Sequence, residues 1–270
     1  MDNATYHQHP SVSHSGLAII ANKTPAHFQA YINGHREETP AMREGTNIHT
    51  AVLEPERFAR DYVVMPKFDM RRTIDKELSA QFHAANAGKT CITADEMDRL
   101  IAIQQAVHEH PLASELLCDG VAEQSVFTTD PETGVAVRCR PDYTAGFNVI
   151  DLKSTIDASS DHFMRAAYAY RYHQQAAFYL DVMGWAGSPC ENFYFIAVEK
   201  TPPFAVQVFR ASDLFVSRGR RDYRQALNTY AECLRSGVWP AYSNDPASLD
   251  LPPWVTRHDD DEIAEIGYVE

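Results

Sequence analysis

Around residue 121 the spacing of apolar residues shortens from the three or four of a helix to the two of a strand, and after residue 160 it lengthens again. Strands in the middle with helices on both flanks fit a single α/β domain, a mixed sheet covered by helices with a helical N-terminal lobe. The period predicts a strand over 121–129, a turn over 130–134, a second strand over 135–143 and a third over 147–153. A long helix from about 160 to 184, strands over 192–198 and 205–209, and a last helix from 213 to about 236 complete the pattern. No internal repeat interrupts it.

The first third reads as helices. Ser13 or Ser15 caps a short helix through Leu17 and Ile20, and the pair Thr24-Pro25 opens a second that ends at Asn33-Gly34. A third helix runs over 43–53, and 62–65 is a short strand. Residues 67–76, which carry Arg71, Arg72 and Lys76, have few apolar anchors and read as a mobile basic loop. Thr93 and Glu96 stand at capping-box spacing and open a helix that His110-Pro111 stops near Glu109. The expected division is a flexible N-terminus over 1–10, one domain over 11–240 and an acidic tail over 241–270 that holds Asp259-Asp260-Asp261-Glu262.

A hydrophobic fraction of 44% supplies a packed core, so disorder is not the expectation. No apolar run approaches the roughly 20 residues that cross a bilayer, and Met1–Pro10 lacks the pattern of a secretory signal. The five cysteines form no CxxC pair, which argues against a zinc or iron–sulfur site and for reduced thiols in the cytoplasm. A net charge of −13 argues against a nonspecific coat on nucleic acid, yet leaves room for a local basic channel with divalent ions.

The chemistry concentrates in Arg140-Pro141-Asp142 followed by Asp151-Leu152-Lys153. On a strand Asp151 and Lys153 share one face, and an antiparallel neighbour would bring Asp142 to the same end. Two carboxylates and an ammonium suit a Mg²⁺-assisted attack on a phosphodiester. Glu123 is read either as a further ligand or as a surface glutamate on an edge strand. Tyr168, Tyr172, Gln175 and Tyr179 recur at helical spacing, either as half-buried packing or as a face that grips DNA, with Arg165 and Arg171 on the same helix. Gly45 and His49 share a helix, where glycine is costly unless something approaches it closely, and His49 is either a metal or phosphate contact or a solvated histidine.

Together, Gly45…His49, Asp142, Asp151-Leu152-Lys153 and Gln175…Tyr179 resemble the ordered motifs of the PD-(D/E)XK nuclease superfamily, RecB-like branch. Residues 44–58, Cys139-Arg140-Pro141-Asp142 and residues 170–179 are similar to the C-terminal nuclease domain of the exonuclease VIII (RecE) family, over roughly 11–236. The resemblance implies an α/β fold with a mixed central sheet flanked by helices. It implies a catalytic set of His49, Asp142, Asp151 and Lys153, with Mg²⁺ as cofactor and Mn²⁺ able to substitute. Glu123 and the Leu152 carbonyl are further candidate ligands. Gln175, Tyr179, Tyr172 and Arg140 are candidate supports, and Arg71 and Arg72 candidate DNA contacts. It also implies 5′→3′ degradation of linear duplex DNA to leave 3′ single strands, a ring tetramer, and a RecT-type annealing partner in prophage recombination. An endonuclease or single-strand nuclease of the same superfamily, and a non-catalytic DNA-binding assembly module, are the alternatives.

Overall fold

A computed structural model describes residues 1, 3–34, 38–249 and 251; the acidic run 259–262 lies outside the described residues. In chain order the elements are α1 (Asn3–Gln8), α2 (His14–Asn22), α3 (Pro25–Asn33), α4 (Pro40–Leu53), α5 (Pro55–Asp61), β1 (Tyr62–Val64), α6 (Thr73–Ala85), β2 (Thr90–Ile92), α7 (Ala94–Glu109) and α8 (Pro111–Leu116). There follow β3 (Val121–Ala122), β4 (Val126–Thr129), β5 (Ala136–Cys139), β6 (Tyr143–Ala145), β7 (Asn148–Thr155), α9 (Ser160–Ala169), α10 (Tyr172–Trp185), β8 (Asn192–Glu199), β9 (Val206–Arg210) and α11 (Asp213–Ser236).

The central sheet has the order β3-β6-β7-β8-β9, with β7 and β8 parallel and the other pairs antiparallel. This is the expected mixed sheet flanked by helices. Its two faces are read off β7 and β8 by alternation. Val149, Phe193, Phe195 and Ala197 face one core with α2, α10 and α11. Ile150, Leu152, Ile196 and Val198 face a second core with α4 and α7. Covering both faces makes these two strands almost continuously apolar, and each fully buried Ile or Leu contributes about 1.5–3 kcal/mol. Asp151 and Lys153 are the polar exceptions on the face of the first core.

Local chemistry sets the helix starts. Thr24 accepts from the His27 N–H with Pro25 at the first helical position, and Thr93 and Glu96 form a reciprocal capping box. His110-Pro111 ends α7 as expected, yet the proline also opens α8, with the His110 side chain accepting from the Ala113 N–H.

Four expectations are corrected. The strand expected over 121–129 breaks at Glu123, whose φ of 53° is left-handed, and its halves join different sheets. The strand expected over 135–143 breaks at Arg140-Pro141-Asp142, where proline offers no ladder N–H. The helix expected over 160–184 is two helices, because Arg171 adopts φ 58°, so Tyr168 on α9 does not share a face with Tyr172, Gln175 and Tyr179 on α10. The basic loop ends at Arg72, since Ile74, Leu78 and Phe82 already carry helical spacing and lie in α6.

Within the N-terminal stretch expected to be flexible, Tyr6 of α1 is buried. The Arg138 guanidinium of β5 donates to the carbonyls of His9 and Ser11, and it lies 5.1 Å from the centre of the Tyr6 ring.

Candidate active site

The site forms where β6 stops. β6 pairs with β7 only as far as Tyr143 opposite Ile150, so the next ladder position, Leu152, has no strand partner on that side. Two side chains take its place. The Leu152 N–H donates to Asp142 Oδ2 at 2.8 Å, and His49 Nε2 bonds the Leu152 carbonyl at 2.8 Å. Asp142 occupies this position because the Pro141 break turns the chain just before β6.

A carbonyl can only accept, so His49 carries a proton on Nε2 and turns Nδ1 toward the acids. Nδ1 lies 3.6 Å from Asp142 Oδ2 and 4.0 Å from Glu123 Oε1. Burial pulls the imidazole pKa down, but Asp142, Glu123 and Asp151 outweigh it and raise it to about 9. Glu123 reaches this point through its left-handed backbone, which its N–H secures by a 3.0 Å bond to the Asp142 carbonyl.

On β7, Asp151 is fully buried and held on both oxygens. Lys153 Nζ lies 2.5 Å from Oδ2, and Gln175 Nε2 of α10 donates to Oδ1 at 2.5 Å. Burial raises the Asp151 pKa, as does the Asp142 charge, while Lys153 opposes them. For Lys153 burial acts downward, but Asp151 and Asp142 prevail and raise its pKa, so it remains an ammonium. Lys153 Nζ also sits 4.6 Å from the centre of the Tyr172 ring. Tyr179, one turn beyond Gln175, packs on Phe193; burial, with Asp151 and Asp142 nearby, keeps its phenol protonated.

The residues fit a divalent cation. His49, Glu123 and Asp142 each offer a ligand atom, all within 4.8 Å of one another. An oxygen-rich donor set suits a hard ion, and a histidine whose second nitrogen is bonded to a backbone carbonyl is the arrangement that metal-bound imidazoles adopt. The Leu152 carbonyl, a candidate ligand by sequence, is engaged by His49.

The other candidates lie apart from this group. Arg140 donates to Ser125 Oγ at 2.7 and 2.9 Å, with its guanidinium 4.0 Å from the Tyr6 ring centre. Arg71 and Arg72 stand before α6, and Arg72 faces Asp75 at 3.7 Å. Arg171 ties α10 to Asn22 of α2 and to Asp222 of α11. Among the described residues, nothing outside the nearby backbone of α4 comes within 4 Å of a Cβ built on Gly45, so no such contact accounts for that glycine. Tyr170, whose ring stacks on Tyr172 at 5.9 Å, was not singled out from the sequence, where nothing marks the helix break at Arg171 beside it.

Comparison with solved structures shows a likeness of fold to the "Putative exonuclease" from Eubacterium rectale, with a TM-score of 0.62 and 12% identity over 96% of this chain and 97% of that one. A second structure, SSO0001, aligns over 85% of this chain and 96% of that one at 13% identity, but a TM-score of 0.28 is too low to bear on the fold. No curated protein matches the chain. Residues 13–251 match the family described as "PDDEXK-like domain of unknown function (DUF3799)", a span that holds every residue of the site. The chain therefore belongs to this PDDEXK-like family.

Proposed function

We propose that the chain is a Mg²⁺-dependent exodeoxyribonuclease that hydrolyses phosphodiester bonds from the ends of linear duplex DNA, 5′→3′. The observation that carries this reading is the convergence of His49, Glu123 and Asp142 beside the buried Asp151–Lys153 pair. Asp142, Glu123, Asp151 and His49 Nδ1 are the groups that would hold the ion. Bound there, Mg²⁺ supplies Lewis-acid polarisation of a phosphate oxygen and a more acidic water.

The chain's own groups have separable tasks. Lys153, kept as an ammonium, holds an anionic phosphate oxygen and offsets charge that builds on phosphorus. Gln175 fixes the rotamer of Asp151, and Leu152 fixes both Asp142 and His49 through its backbone. Tyr172 supports the ammonium from the side.

The end-directed, 5′→3′ action rests on the RecE-like motifs, and the name of the E. rectale neighbour agrees with an exonuclease. The same motifs support a ring tetramer, a RecT-type annealing partner and a role in recombination, and the scattered cysteines support a cytoplasmic setting. Among the described residues no helix is long and apolar enough to cross a membrane.

Incubation with 5′-labelled linear duplex and closed circular DNA, with Mg²⁺ or chelator, tests the proposal. Loss of the linear form alone, with early release of the 5′ label as mononucleotide, is expected. Cutting of the circle would instead make the protein an endonuclease, and binding without any cutting would make it an assembly module. Light scattering in solution checks the tetramer.

A further inference from the structure

Three aromatic rings form a column from the core to the surface beside the candidate site. Phe195 of β8 lies under Tyr172, with centroids 5.6 Å apart and planes 24° apart. Tyr172 lies under Tyr170, at 5.9 Å and 26°. Tyr170 closes the column with a ring that is 69% exposed, so its outer side faces solvent. Lys153 Nζ stands 4.6 Å from the middle ring, so the ammonium that pairs with Asp151 touches the tyrosine on which Tyr170 stacks.

The backbone holds this arrangement at a cost. Arg171, between the two tyrosines, adopts a left-handed φ of 58° that is strained for a non-glycine residue. Its side chain is fixed by Asn22 and by Asp222, 3.5 Å away. A straight helix would separate residues 170 and 172 onto different faces. The kink sets their rings nearly parallel instead. Burying Tyr170 explains none of this, because the ring is largely exposed.

We infer that the outer face of Tyr170 is a stacking platform for a nucleobase of the strand being cut. The inference rests on the nuclease reading and narrows its substrate: the nucleotide at the site is unpaired, its base on Tyr170 and its phosphate toward Lys153. Every base has a π-face, so such a platform grips the strand without reading its sequence. Frayed or mismatched duplex ends are therefore cut faster than fully paired ends of the same length.

The test uses the full chain with Ca²⁺ in place of Mg²⁺, so that the bound DNA survives. A linear duplex carries 5-iodouracil at the terminal nucleotide of one strand or the other, and long-wavelength irradiation cross-links it to an aromatic ring stacked against it. The cross-linked peptide is expected to contain Tyr170 in the wild type, and Tyr170→Phe retains both the binding and the stacking. Tyr170→Ala is expected to melt like the wild type, as the ring is mostly exposed, and to bind DNA about 5- to 150-fold more weakly. A cross-link confined to other peptides, or unchanged affinity in Tyr170→Ala, overturns the inference. So does a Tyr170→Phe variant as weak as Tyr170→Ala, which would assign the contact to the hydroxyl. A Tyr170→Ala chain that changes only its state of association would assign the ring to a contact between copies. Cleavage of plain linear duplex by the wild type with Mg²⁺ is measured alongside. If that fails, the nuclease reading falls; if it holds while the cross-link and affinity results fail, only the platform falls.

Discussion

Asp142 accepts the Leu152 N–H at 2.8 Å, in the ladder place that β6 leaves open. One carboxylate thus completes a strand edge with one oxygen and faces His49 as a candidate metal ligand. The two duties separate under substitution. Asp142→Asn keeps an acceptor for the N–H and loses the charge, so it should fold normally and lose at least about 100-fold in activity. Asp142→Ala also strands a buried N–H and should lose a further 1–3 kcal/mol of stability, roughly. Urea denaturation beside a nuclease assay reads both effects.

Lys153 and Asp151 form a buried pair, so removing one partner is worse than removing both. Lys153→Met should destabilise the fold by about 3–5 kcal/mol, and adding Asp151→Asn should restore much of that loss. Denaturant midpoints over the double-mutant cycle check it. A double-variant loss equal to the sum of the two single losses would mean that the charges do not depend on each other.

Two helical glycines should respond in opposite directions to alanine. A Cβ on Gly219 of α11 would fall 1.8 Å from the His173 carbonyl oxygen of α10, so Gly219→Ala must push these helices apart. It should cost about 3 kcal/mol. Gly45 has open space, and Gly45→Ala should stabilise α4 by about 0.4–1 kcal/mol. Thermal melts of the two variants decide both.

His14, at the start of α2, has its Nε2 buried with no hydrogen-bond partner among the described residues. Burial, with the Lys153 charge, pulls its pKa down to about 3, so the folded chain keeps it neutral. The unfolded chain takes up the proton from about pH 6.5 downward. This contribution to stability is therefore complete above pH 6.5 and is lost as the pH falls toward 3, at about 1.4 kcal/mol per unit. Melting temperatures between pH 7 and 5 should drop less steeply in His14→Gln than in the wild type.

Those parts of the fold and of the site that depend on strand period and local capping were legible in the sequence. Asp151 and Lys153 share a face because a strand alternates, and Thr93 with Glu96 caps α7 as its spacing requires. The parts that depend on unusual backbone were not. Glu123 and Arg171 each take a left-handed conformation without glycine, and no propensity announces that. Their geometry is fixed by distant partners, the Asp142 carbonyl for Glu123 and Asn22 with Asp222 for Arg171. Arg140 was a candidate support from its motif beside Asp142, while the partners that hold it, Ser125 and the Tyr6 ring, are remote from that motif in sequence.

If these side chains form one metal-dependent hydrolytic site, nucleotide release depends on both the ion and the Asp142 charge. The direct measurement is nucleotide release from linear duplex DNA, with Mg²⁺ present or chelated, by the wild type and by an Asp142→Asn variant of equal melting temperature. Release only by the wild type and only with Mg²⁺ is expected of such a site. Release that survives the chelator, or that Asp142→Asn sustains at the wild-type rate, would contradict it.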